Sequence, residues 1–331
     1  MASSLRPGSA DPGLSVFQVA PSTSNPLRSG LIYGLVAYLL WGLLPLYFLL
    51  LAPTGAFEIV AWRVLWTLGF CLIALSLTRG WKPLIALVRR PRILFTMAGA
   101  GALIFVNWQT YVLATTTGHV VEAALGYFIN PVVTVFLGVL VLHEKLRRLQ
   151  WAAVGVSLVA VVVLTFAYGS FPWIALTLAF SFGLYGFVKK RVGGEVDALS
   201  GLALESAWLV PVAVAELVFV GLTTGVTFGH VSVWNTVLLV LAGVVTAVPL
   251  LLFAASARRL PLVYIGLVQY VTPVMQFIVG VVFLHEAMDA ARWVGFIVIW
   301  LALVMLTVDL VRAGRSHRAR NVRAQSSVSI E

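Results

Sequence analysis

Apolar residues run along this chain in long unbroken blocks, separated by short polar connections that are often basic. Ten blocks reach about 20 residues, the length a helix needs to cross a hydrocarbon core of about 30 Å. They cover approximately 30–52, 57–78, 93–114, 119–142, 149–168, 172–190, 198–222, 233–257, 261–284 and 290–312. Membrane β-strands would be about 10 residues long and would alternate apolar with polar. These blocks are about twice that length and apolar on every side, so they predict helices. The expected fold is an all-α integral membrane protein with ten transmembrane helices.

The connections carry a second pattern. With the N-terminus in the cytoplasm and the spans alternating, all of the 22 basic residues except Arg63 and Arg292 fall inside. Lys and Arg concentrate in cytoplasmic loops, and one missed span would scramble the asymmetry. Both termini are therefore expected to be cytoplasmic. Residues 1–29 are rich in Ser, Pro and Gly, and their one apolar patch, Leu14 to Ala20, is interrupted by Gln18. That patch is too poor for a secretory signal, and the segment is expected to be a disordered tail. A disordered basic tail is also expected over 313–331, with Arg315, Arg318, Arg320 and Arg323.

The two halves resemble each other at an offset of 142 residues. Pro131, Gly138, His143, Glu144 and Trp151 recur as Pro273, Gly280, His285, Glu286 and Trp293, and Trp66 recurs as Trp208. Arg63 faces Glu205 at the same shift, and Trp41-Gly42 matches Phe182-Gly183 at an offset of 141. Each unit, 30–168 and 172–312, holds five spans. Consecutive odd-numbered units enter the membrane from opposite sides, so the repeat is expected to have inverted topology. The charges agree: Lys145, Arg147 and Arg148 follow the first His-Glu pair, whereas Ala287, Asp289 and Ala290 follow the second. Inverted repeats are a common construction of secondary transporters, with the binding site between the halves.

Composition narrows the field further. The chain is 61% hydrophobic and 10% charged, with mean hydropathy +1.01. A soluble domain is about 45–50% apolar and about 25% charged. This excludes an ordinary soluble enzyme, a nucleic-acid binder and a disordered protein. The net charge of +10 follows from the loop asymmetry rather than from an acidic partner. The one cysteine, Cys71, sits in an apolar run and reads as inert. His143-Glu144 begins like a zinc-protease motif but lacks the second His four residues on, and no GxSxG or GxxxxGK[ST] run occurs. No cofactor, metal or catalytic group is expected, and transport would be driven by a gradient or by exchange.

Ionisable groups inside spans are costly and mark pathways. Arg63 lies about six residues, roughly 9 Å, in from the outer end of its span. Asn107 and Glu216 lie at comparable depth, Glu122 about one turn in, and Glu58 at the mouth. These residues are expected to form a paired outer cluster around Arg63. Glu205, Gln269 and Gln276 lie deeper toward the cytoplasm, and Asn130 lies near the midplane beside Pro131. Glu205 is the first candidate for a coupling proton, with no basic residue one turn away on its own helix, and Glu122 is the second. His143-Glu144, His285-Glu286 and Asp309 read as caps or anchors at span ends. Tyr111, Tyr127, Phe128, Phe253, Tyr264 and Tyr270 could line a pocket or serve as packing.

The run Glu58-Ile59-Val60-Ala61-Trp62-Arg63-Val64-Leu65-Trp66 resembles the RarD family, a branch of the EamA-type drug/metabolite transporters. So do Glu122-Ala123-Ala124-Leu125-Gly126-Tyr127-Phe128-Ile129-Asn130-Pro131, Leu204-Glu205-Ser206-Ala207-Trp208, Val248-Pro249-Leu250 and Gln269-Tyr270. Where members of that family often have His before the arginine, this chain has Trp62. The resemblance spans about residues 30–310. It implies ten helices in two inverted five-helix units, a bacterial inner-membrane location, and export of small metabolites or drugs. The expected partners are a small-molecule substrate, the bilayer, and a coupling proton or counter-substrate; no nucleic acid is expected. The expected cavity residues are Arg63, Asn107, Tyr111, Glu122, Tyr127, Asn130, Glu205, Gln269 and Tyr270. Two alternatives stand beside export: an uptake permease, and a non-transporting lipid-handling or assembly factor. A sealed apolar interface between the halves would favour the last; a polar cavity would favour transport.

Overall fold

The computed structural model describes residues 26–142, 148–168, 171–257, 259–260, 268–305 and 307–309. His143, Glu144, Tyr264 and the expected terminal tails, apart from residues 26–29, lie outside the described residues. Among the described residues every regular element is helical. The helices are α1 Pro26–Gly42, α2 Leu44–Leu49, α3 Ala56–Leu77, α4 Trp81–Val88, α5 Pro91–Thr116 and α6 Val120–Leu142. They continue with α7 Arg148–Tyr168, α8 Trp173–Val192, α9 Ala198–Thr223, α10 Val233–Ala257, α11 Val271–Ile278 and α12 Ala290–Asp309. A π turn, Val279–Phe283, extends α11.

Six helical stretches among the described residues are long and apolar enough to cross a bilayer. They are Leu27–Leu49, Ala56–Leu77, Pro91–Thr116, Ala198–Thr223, Val233–Ser256 and Ala290–Asp309. Val120–Val133, Trp173–Lys189 and Val271–Phe283 are shorter apolar helices. Large apolar side chains stand exposed along the outer faces, as at Leu77, Leu222 and Val233. Apolar faces this extensive are costly in water and suit lipid, where a helix can sit because it pairs its own backbone groups. The protein is a multi-pass membrane protein.

Two local features differ from the sequence pattern. The first helix begins at Pro26, earlier than the expected tail boundary at residue 29. Proline suits a first helical turn because its missing N–H has no partner there anyway. The connection after α3 holds the short helix α4, which the apolar count left as loop. Its Pro83 sits in the first turn, where proline is tolerated.

Packing runs mostly between the two sequence halves. α3 lies against α9 and α10, α5 against α8 and α9, α6 against α8 and α11, and α1 against α10 and α11. Two glycines make this possible. A Cβ on Gly126 of α6 would stand 2.7 Å from the Ala175 carbonyl of α8. One on Gly243 of α10 would overlap the backbone of Trp66 in α3. Backbones at such approach have no room for a side chain.

Candidate functional site

A partly open cavity of about 70 Å³ lies where α1, α3, α5, α6, α8, α10 and α11 converge. Arg63, Asn107, Tyr111, Tyr127, Asn130 and Gln269 line it. Glu122, Glu205 and Tyr270 do not: Tyr270 lies beside Thr307 of α12 instead. Tyr38, Trp41, Trp108, Phe182 and Thr272 complete much of the wall and were not among the expected site residues. The repeat held a signal for some of them. Trp41 and Phe182 are repeat mates, and positions 108 and 250, 127 and 269, and 130 and 272 each lie 142 residues apart. All eight residues line the cavity.

Proline chemistry shapes one wall. Pro45 has no N–H to give the Trp41 carbonyl, and the first span breaks between Gly42 and Leu44. Gln276 of α11 donates its Nε2 to that Trp41 carbonyl at 3.2 Å. Thr272 donates to the Tyr38 carbonyl at 2.7 Å. On the facing wall Asn107 Nδ2 donates to the Leu178 carbonyl and Ser181 Oγ, at 3.2 and 3.1 Å. Tyr127 donates to Asn107 Oδ1 at 3.0 Å, and Asn130 to the Ala179 carbonyl at 3.0 Å. Polar residues of one half thus hold backbone of the other.

Arg63 is 3% exposed and points inward. Its Nε donates to Thr246 Oγ1 at 2.7 Å, and its guanidinium carbon lies 4.4 Å from the Trp108 ring centre and 5.5 Å from that of Phe48. No direct ion pair forms between Arg63 and Glu58, Glu122 or Glu216. The carboxylates meant to surround Arg63 bind backbone N–H groups or stand apart. Glu58 accepts from Thr227 and Phe228 at 2.9 to 3.0 Å, and from Trp62 Nε1 at 3.2 Å. Glu122 accepts from the backbone of Ile174 and Ala175 in the first turn of α8. Glu216 Oε2 is buried without a partner.

Glu286, expected as a span-end cap, caps a neighbouring helix. It accepts the Val120 and Val121 N–H groups of α6 at 2.6 and 2.9 Å. Burial pushes its carboxyl up from the ordinary carboxylate range. The two N–H bonds, His119 and Arg292 pull it partly back. Helix N-termini carry unpaired N–H groups and a positive dipole end, so a carboxylate there is well placed. Glu286→Ala is expected to cost about 1–2 kcal/mol, read as a lower unfolding temperature in detergent. An unchanged temperature would show that water replaces the carboxylate at no loss.

Glu205 has no basic residue one turn away on its own helix, but it meets one from α8. It is 1% exposed; Lys189 Nζ of α8 lies 2.7 Å from Oε1, and the Tyr185 hydroxyl donates to Oε2 at 3.1 Å. The backbone of Glu205 packs on Gly101 of α5, one turn from Ile104 in the cavity wall.

A family model for EamA-like transporters matches residues 28–166. The chain is 48% identical over 296 residues to Protein RarD of Streptomyces exfoliatus, covering 89% of this chain and 93% of that protein. The chain belongs to the RarD family of EamA-type transporters. It is also 42% identical over 297 residues to the uncharacterized transporter YojE of Bacillus subtilis (strain 168), covering 88% of this chain and 98% of that one. A solved crystal structure superposes with a TM-score of 0.56 at 19% identity, covering 86% of this chain and 99% of that chain, a likeness of fold alone. Membership makes this a membrane transporter of the drug/metabolite type, acting on small molecules in a bilayer, and not an enzyme.

Proposed function

We propose that the chain exports a small organic solute across a bacterial inner membrane by alternating access. Ten spans form two inverted five-helix units, 30–168 and 172–312, with both termini in the cytoplasm. The observation that carries this reading is the cavity between the halves, lined by both, which sets Arg63, Asn107, Asn130 and Gln269 among apolar and aromatic side chains. A non-transporting factor would have no use for buried amides and an arginine in a cavity between the halves.

The packing pairs support the inverted repeat. Exchanging each span for its mate turns the α1–α10 contact into α8–α5, the α3–α10 contact into α9–α5, and the α6–α8 contact into α11–α1; all six occur. A two-fold relation of this kind offers two mirror-related shapes, one open to each side. Pro131 with Pro273, and Trp66 with Trp208, should exchange under a rotation whose axis lies in the membrane plane.

Purified protein in liposomes, with and without a pH gradient and across a metabolite library, tests the function. Gradient-dependent efflux of at least one solute is expected, above that of protein-free liposomes. Uptake-directed flux alone would reverse the direction, and no flux of any solute would overturn transport.

A further inference from the structure

The buried polar atoms Arg63 Nη1, Tyr111 Oη and Gln276 Oε1 lie around the cavity; the Tyr111 side chain is within hydrogen-bonding reach of Thr115 and Gln276, whereas Arg63 Nη1 has no partner. Their residues are 3%, 2% and 1% exposed. Elsewhere in the cavity the polar groups are engaged, as Asn107, Tyr127 and Thr272 show. A buried guanidinium N–H left unpaired in the cavity wall calls for a partner.

The kinds of atom define that partner. Arg63 offers a cationic N–H, and the ionisable groups close enough to act on it are the phenols of Tyr127, Tyr111 and Tyr47. None is a carboxylate, so the guanidinium has no protein counter-ion among the described residues. Stacking on Trp108 and the single bond to Thr246 offset only part of the cost of burying it. The Tyr111 hydroxyl can donate to an anion beside Arg63. The walls are flat and apolar: Tyr38, Trp41, Trp108 and Phe182. A space of about 70 Å³ suits a small ligand.

We propose that the cavity binds a small monoanion with a flat apolar body, an aromatic carboxylate, with Arg63 taking the carboxylate and the rings taking the body. This rests on the transport reading above and names its substrate class. Arg favours carboxylates because its fork of N–H groups matches their two oxygens.

Trp41 and Trp108 place fluorophores in the wall, so binding to the purified full chain can be followed by tryptophan quenching. The probes are benzoate, its uncharged analogue benzamide, its cationic counterpart benzylammonium, and acetate. Benzoate is expected to bind at least tenfold tighter than the other three. Arg63→Gln should lower benzoate affinity at least tenfold and benzamide affinity less than twofold. Arg63→Lys, which keeps the charge and loses the fork, should fall between. Benzamide or benzylammonium matching benzoate on the unmodified chain would overturn the proposal whether or not the variants fold. Acetate matching benzoate would overturn the flat body. Counterflow of the same probes in liposomes separates the two readings. Benzoate selectivity without flux upholds the site and sinks transport; flux of solutes without anion preference upholds transport and sinks the site.

Discussion

Gly243→Ala is expected to be among the most damaging single-methyl changes in the protein. The added Cβ would overlap the Trp66 carbonyl and stand 2.8 Å from the Thr67 nitrogen. These are backbone atoms of a buried helix and cannot swing aside, so α3 and α10 must part. Overpacking of this kind costs about 1–3 kcal/mol. Gly243→Leu, adding more atoms to the same gap, should not fold. Thr246 lies one turn on along α10 and holds Arg63, so the shift also reaches the cavity. Gly99→Ala is the control: nothing lies within 4 Å of its Cβ, and alanine should gain about 0.5–1 kcal/mol through helix propensity. Thermal unfolding of the three variants in detergent checks the order. Gly243→Ala as stable as the unmodified chain would refute the tight α3–α10 contact.

Apolar blocks made the helices legible, because a bilayer allows little else along such runs. The short α4 was not legible, since eight residues with a lysine and a proline look like a loop when only long blocks are counted. The site shows the same division. Asn107, Tyr127 and Gln269 were visible as polar or aromatic residues inside apolar spans, and all three line the cavity. The direct ion pairs supposed around Arg63 are absent for a geometric reason. Distance along a helix fixes height but not direction around the axis. Glu58 and Arg63 are five residues apart, which turns them about 140° from each other on one helix. Lys189 beside Glu205 was hidden for a related reason: it comes from a different helix, and its lysine was counted only as a cytoplasmic charge. Trp41 and Phe182 were noticed as repeat mates, yet nothing in one dimension said that both faced inward.

Glu205→Gln is expected to abolish pH-driven flux while leaving the fold and substrate binding largely intact. Glu205 and Arg63 are repeat mates carrying opposite charges, and only the acid can exchange a proton in the working range. Lys189, 29% exposed at the side chain, connects Glu205 toward water, while Glu205 itself is 1% exposed and packs on Gly101 beside the cavity wall. A proton arriving at Glu205 would release Lys189 and loosen α8 from α9, a change that a moving bundle can use. Glutamine keeps the shape and can still accept the Tyr185 hydrogen bond. The lysine it leaves behind reaches solvent, so the loss should stay near about 1 kcal/mol. Lys189→Met is the contrasting variant: it strands a buried carboxylate, which costs about 3–5 kcal/mol. Flux of each variant in liposomes, beside its unfolding temperature, separates coupling from stability. At least a tenfold fall in pH-driven flux with an unfolding temperature near that of the unmodified chain is the expected signature of Glu205→Gln. Unaltered pH-driven flux would remove Glu205 from the proton path. Glu122 would then be the acid to test, through its hold on the first turn of α8.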